Sequence, residues 1–282
     1  MAASHRVTGL WVYQSPDLVH APPDPTAVAA LAARHGLTWL SAQAFAGTQL
    51  LDEDWLHKMR EATTKAGLDL GVHGYIGRPR PRPEAEAQAV SDAIRGAQAD
   101  FVIVDAEDEY ESAPPGTSKR FVVAYRQLRP NFHSYFSSFG RPSLHGGLDW
   151  KAWASAGFAG MPQAYQNLNP AFLRPSSCVD DWAQFFVRSD LRPTLGCFAD
   201  AGHGHLTTAQ LVQSVREVPS LRFNIYRHGT VTDTELTALG AITLWHDRGI
   251  RPRTRLHPPA AEAPGAWQRH MSQITAWSGS YL

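Results

Sequence analysis

The chain has 282 residues, 43% of them apolar and 18% charged, a composition that excludes a disordered segment and supplies one large core. Lys plus Arg equal Asp plus Glu at 26 each, so no net field steers the protein toward nucleic acid or an anionic membrane. No apolar run reaches the roughly 18 residues of a membrane span, and Cys178 and Cys197 make neither a disulfide framework nor a zinc spacing.

In chain order, short apolar runs alternate with helical patterns. VTGLWVYQ (7–14) reads as a first strand. In the DPTAVAALAARHG that follows later, Asp24 caps a helix, Pro25 sits in its first turn and Gly36 stops it. LTWLSAQAF (37–45) predicts a second strand, and DEDWLHKMREATTKAG (52–67) a helix with acidic residues first and basic residues later, as the helix dipole prefers. LDLGVHGYIG (68–77) predicts the third strand, and RPRPRP (78–83) a stiff connector with projecting guanidinium groups. Ala85, Ala89, Val90, Ala93, Ile94 and Ala97 then fall on one helical face. FVIVDAE (101–107) is the fourth strand, and a helix over 118–128 leads into NFHSYFSSF (131–139), the fifth. GFAGMPQAYQN (157–167) predicts the sixth strand, a helix over 179–188 feeds PTLGCFAD (193–200), and TTAQLVQSVREV precedes LRFNIYRHG (221–229). A helix over 232–249 closes the series.

Close to eight βα pairs at this length predict an α/β fold, a single (β/α)8 TIM-type barrel over residues 1–250. No G-x-G-x-x-G follows the first strand, and no cofactor is expected. Residues 251–282 read as a short C-terminal extension, a Pro/Arg-rich linker followed by a helix carrying Trp267, Met271, Ile274 and Trp277. That helix either packs back on the barrel or docks to a partner.

Strand alternation divides FVIVDAE. Phe101, Ile103, Asp105 and Glu107 share one face, and Val102, Val104 and Ala106 the other. The small apolar set suits a floor beneath helices, which turns Asp105 and Glu107 inward at the C-terminal rim, where such barrels place their active sites. Carboxylates two residues apart in a strand stand roughly 6.6 Å apart along it, near enough for one to raise the pKa of the other. A neutral acid beside an anion is what cleavage of a glycosidic bond uses. Asp108 and Glu111 read as a solvated loop.

VDAE (104–107) resembles the D-x-E motif of the glycoside hydrolase family 25 lysozymes, and GVHGYIG (71–77) is similar to their third-strand segment. MPQAY (161–165) is similar to the sixth-strand Met-x-Tyr segment of the family 18 chitinases, and DAEDEY (105–110) echoes their D-x-D-x-E-Y motif. The lysozyme resemblance implies a muramidase cleaving an N-acetylated cell-wall glycan such as peptidoglycan, with Glu107 as acid and Asp105 as its partner. The chitinase resemblance puts the acid on Glu109 instead. The lysozymes carry an Asp on the first strand, where this chain offers Tyr13, Gln14 and Asp17. That departure leaves open a catalytically inactive glycan-binding or structural barrel.

Gln163 and Tyr165 share the parity of Met161 and stand as substrate-binding candidates, which the chitinase resemblance would set around an N-acetyl group. His73, Tyr75 and Tyr135 are further candidates, as is His133, with Trp11 and Trp39 as sugar-stacking surfaces. DAGHGH (200–205) offers an alternative, a metal-dependent hydrolase or deacetylase using Asp200, His203 and His205. The first residues lack a basic stretch followed by an apolar one, so cytoplasmic synthesis without a signal peptide is expected. Delivery to a wall substrate would then run through lysis, a phage tail or an injection particle bound by the C-terminal segment.

Overall fold

The computed structural model describes residues 8–14, 22–199, 203–218 and 222–247, without the side chains of 242–247. Asp17, Asp200 and the linker and helix expected over 251–282 lie outside the described residues.

Eight strands run parallel: β1 (Thr8–Val12), β2 (Trp39–Ala46), β4 (Asp69–Ile76), β5 (Phe101–Ala106), β6 (Ser134–Phe139), β7 (Ala159–Ala164), β8 (Thr194–Gly196) and β9 (Phe223–Tyr226). A two-residue strand, β3 (Gln49–Leu50), folds back antiparallel on β2. Around the sheet the order is β1, β9, β8, β7, β6, β5, β4, β2, and β2 pairs again with β1, so the sheet closes into the expected (β/α)8 barrel. The seam at β9 is tied by Asn224, which is fully buried: its amide donates to Arg192 O at 3.0 Å and accepts from the Trp11 indole at 2.5 Å.

Local signals start and stop the helices. The Asp24 carboxylate accepts from the Thr26 and Ala27 amides ahead of α1 (Pro25–Arg34), with Pro25 in the first turn. Asp52 caps α2 (Glu53–Ala66), and Gly67 ends it at φ 70°. α3 (Pro83–Gly96) opens on a proline and α5 (Thr117–Leu128) follows a left-handed Gly116. α8 (Thr208–Arg216) starts in a capping box between Thr207 and Gln210, and α9 (Asp233–Asp247) follows β9. Three elements depart from expectation. α4 (Asp108–Glu111) and α6 (Trp150–Ser155) are too short for periodicity to reveal, and α7 runs Pro175–Trp182, starting earlier because Pro175 fits its first turn.

Two cores result. Between sheet and helices, Val102, Val104 and Ala106 join Val90, Phe121, Phe136, Trp153 and Trp182, with Phe136 and Trp153 stacked at 4.2 Å. Inside the barrel, Trp11, Trp39, Phe101, Ile103, Tyr135 and Met161 form a separate cluster. Its lower level needs backbone without side chains: a Cβ on Gly9 would lie 1.9 Å from the Trp39 ring, and one on Gly71 2.1 Å from Phe101. Trp11 and Trp39 are therefore interior filling, 1% and 7% exposed, and not the sugar-stacking surfaces expected of them. No helix among the described residues is long and apolar enough to cross a membrane.

Candidate active site

The alternation of β5 holds in three dimensions. Ile103 lies in the barrel cluster, and Asp105 continues its face one level higher. Parallel register then sets Tyr75, Asp105, Ser137 and Met161 side by side on β4 to β7, with Gln163 one step further along β7. Glu107 follows directly on β5, at the entry of α4.

One amide joins the two carboxylates. Gln163 Nε2 donates to Asp105 Oδ1 at 3.1 Å and also to Glu107 Oε1. Burial raises the pKa of both acids; the charge of Glu107 pushes Asp105 further up, while the Ser137 hydroxyl and the Gln163 amide pull it back. Glu107 is pushed up to about 7, mainly by burial, with Asp108 and Glu109 adding to the rise and Gln163 opposing it. The pair therefore retains a proton near neutral pH, the condition for an acid and an anion to stand together.

Glu109 is engaged elsewhere. It accepts from the Tyr75 hydroxyl and from Arg78 Nε at 3.1 Å, and the Arg78 guanidinium lies over the Tyr75 ring at 4.7 Å. A fully buried carboxylate braces this corner from behind: Glu86 accepts from Gly77 N at 2.8 Å and from the Tyr110 hydroxyl at 2.6 Å. Gly77 has φ 111°, and a Cβ there would meet Glu109 Cβ at 2.8 Å. Glu111, expected as solvated loop, pairs with His145 Nδ1 at 2.8 Å.

Across the mouth stands a wall of phenols. Tyr165 lies 5.4 Å from Tyr226, and Tyr226 lies 5.5 Å from Tyr13, ring centre to ring centre. Burial, Tyr226 and Asp105 raise Tyr13 and Tyr165 well above the usual phenol range, so both remain neutral donors. Arg227 packs on this wall, with Cζ 5.5 Å from the Tyr13 ring and 5.7 Å from that of Tyr226.

Of the residues singled out in the sequence, the structure thus gathers Tyr75, Asp105, Glu107, Glu109, Gln163 and Tyr165. Two are not at the mouth. His73 is level with Ile103, 1% exposed, and wedged between Trp11 and Tyr13, with Nδ1 on Ser41 at 3.1 Å. Burial lowers its pKa to about 3, so it is a neutral core histidine. Tyr135 packs on Phe101 and His133, and its ring faces the Arg192 guanidinium at the opposite end of the barrel. Ser137, Tyr226, Arg78 and Arg227 were not picked out. Strand parity from Asn224 would have found Tyr226, and Arg78 stood in RPRPRP.

His205 Nδ1 lies 3.7 Å from Glu235, and no group of three or more His, Cys, Asp or Glu that could hold a metal occurs among the described residues. The expected metal set also includes Asp200, which lies outside them.

No family model matches the chain, and no curated protein matches it in sequence. Solved structures do share its fold. Active domain 2 of a thermostable chitinase from Pyrococcus furiosus superposes with TM-score 0.62 at 13% identity, over 88% of this chain and 98% of that one. A family 18 chitinase from Cycas revoluta gives 0.62 at 10% identity, over 85% and 100%. The spore cortex-lytic enzyme SleL of Bacillus cereus gives 0.54 at 9% identity, over 83% and 73%. At such identities the likeness is one of fold, and one barrel fold hosts many chemistries.

Proposed function

We propose that this chain is a glycoside hydrolase acting on an N-acetylated glycan of the peptidoglycan or chitin type, with Glu107 as the general acid. The observation that carries the reading is the single amide of Gln163 shared by Asp105 and Glu107. Oxygens that meet on one nitrogen are closer than the roughly 6.5–9.5 Å that an inverting pair leaves for a water between its carboxylates. The reading is therefore of a retaining mechanism. The contacts that Glu109 makes with Tyr75 and Arg78 support Glu107 over it as the acid.

In the first step Glu107 gives its proton to the glycosidic oxygen as the bond from that oxygen to the anomeric carbon breaks. The acetamido oxygen of the same sugar supplies the electron pair that the anomeric carbon loses, and closes a ring. In the productive state the one proton that the pair retains sits on Glu107, which leaves Asp105 ionised to accept the acetamide N–H and offset its positive charge, and the Tyr165 hydroxyl donates to the acetamido oxygen. Water then attacks the anomeric carbon, its proton passes to the Glu107 carboxylate, and the acetamide reopens. Substrate assistance of this kind requires no carboxylate on the first strand, where Tyr13 stands. That the structural neighbours include chitinases and a cortex-lytic enzyme supports the choice of glycan.

The test is release of reducing ends from purified cell walls and from chito-oligosaccharides. Glu107→Gln is expected to lower kcat by about 10²–10⁴-fold, the usual contribution of a general acid. Equal, negligible release by wild type and variant, with glycan binding intact, would establish the inactive binding module instead.

A further inference from the structure

Among the arginines that face this end of the barrel, Arg78 is paired with Glu109, Arg141 with Asp181 and Arg174 with Glu217. Arg227 differs. It makes no ion pair among the described residues, and its Nε is buried without a hydrogen-bond partner. Its charge acts on Tyr165, whose pKa burial, Tyr226, Asp105 and Glu107 raise and Arg227 lowers. The guanidinium is thus backed by two aromatic faces, Tyr13 and Tyr226, which hold a cation without neutralising it.

We propose that Arg227 is an anion-recognising group of the cleft, holding the carboxylate of an acidic sugar unit, so that the preferred glycan is carboxylate-bearing rather than neutral. The proposal rests on the glycosidase reading only in taking a glycan as the ligand. A planar guanidinium matches a carboxylate in two parallel hydrogen bonds, a geometry that no neutral hydroxyl reproduces. The floor of the cleft carries Asp105 and Glu107 and repels an anion, so the acidic group of a bound chain is directed to the one side where Arg227 waits. Recognition and orientation follow from the same charge. Two sources supply that chemistry, a lactyl ether on an N-acetylated sugar and the ring carboxylate of a uronic acid.

The experiment is calorimetric titration of the full chain carrying Glu107→Gln with three N-acetylated disaccharides: one with a lactyl ether, one with a uronic acid and one neutral. The expected result is that at least one acidic ligand binds about tenfold or more tightly than the neutral one, a difference of about 1.4 kcal/mol. Rising salt should weaken that ligand alone. Adding Arg227→Gln should erase the preference, and Arg227→Lys should restore part of it. Equal affinity for acidic and neutral ligands, or a preference that survives Arg227→Gln, overturns the proposal. Should Arg227→Gln fail to fold, the salt titration decides, and a preference indifferent to salt overturns it. Which acidic ligand binds identifies the source. Wild-type protein that shows the preference but cleaves none of the glycans refutes the hydrolase reading and leaves Arg227 its role. Cleavage of all three with equal affinity does the reverse, and no binding of any glycan overturns both.

Discussion

The charge state of Glu107 sets two pH dependences of opposite use. In the role proposed for it, a general acid that works only when protonated, it should make kcat/KM fall as pH rises through about 7, the value to which burial pushes it. For stability, a carboxylate whose folded pKa lies above its unfolded one binds its proton more tightly in the native state. Its contribution is present in full below the unfolded value and is lost as pH rises toward 7. Glu107→Gln, neutral at every pH, should therefore stabilise the protein by roughly 1–3 kcal/mol at pH 8 and by little at pH 4, as read by denaturant unfolding. Gln163 gives a third outcome. Its amide favours the charged forms of both acids, so Gln163→Leu should move the alkaline limb of the pH–rate profile upward while lowering kcat. Glu109→Gln keeps Tyr75 and Arg78 in contact with an acceptor. It should cost less activity than Glu107→Gln, and the reverse order in the same assay would return the acid to Glu109.

Among the elements, α4 is too short to hold itself, and its order depends on α3 through Glu86. Glu86→Ala would strand the Tyr110 hydroxyl and the Gly77 amide in a buried place, at a cost of roughly 2–4 kcal/mol, and would loosen the segment that carries Glu107 and Glu109. Thermal melts should show a fall of several degrees, and kcat should drop with them. Alternation in FVIVDAE assigned Val102 and Val104 to the helices and Asp105 to the interior, because a strand has only two faces. Alternation carries no height. Tyr135 and Ser137 share a face of β6, yet register puts Tyr135 level with Ile103 and Ser137 level with Asp105, and only the pairing of β6 with β5 reveals it. His73 was misplaced for the same reason. The brace from Glu86 was invisible because its partners lie 9 and 24 residues away, beyond the reach of any local pattern.

At the scale of the whole molecule, the barrel is a ring, and a ring is held by its seam as much as by its strands. Asn224 satisfies polar groups on both sides of β9 from a position with no access to water. Asn224→Ala should cost roughly 2–4 kcal/mol by leaving the Trp11 indole and the Arg192 carbonyl unpaired, and should weaken strand closure far from any glycan. Protection of β1 and β9 amides from hydrogen exchange would fall more than that of β5. The rings of Trp39, Phe101 and Tyr135 at the base of the barrel have a consequence of another kind. They stopper the cylinder, so a long polysaccharide has no through-route and cannot be threaded and fed along. On the proposed reading a glycan lies across the open end as a chord, and the length of a strand should halve well before small fragments accumulate.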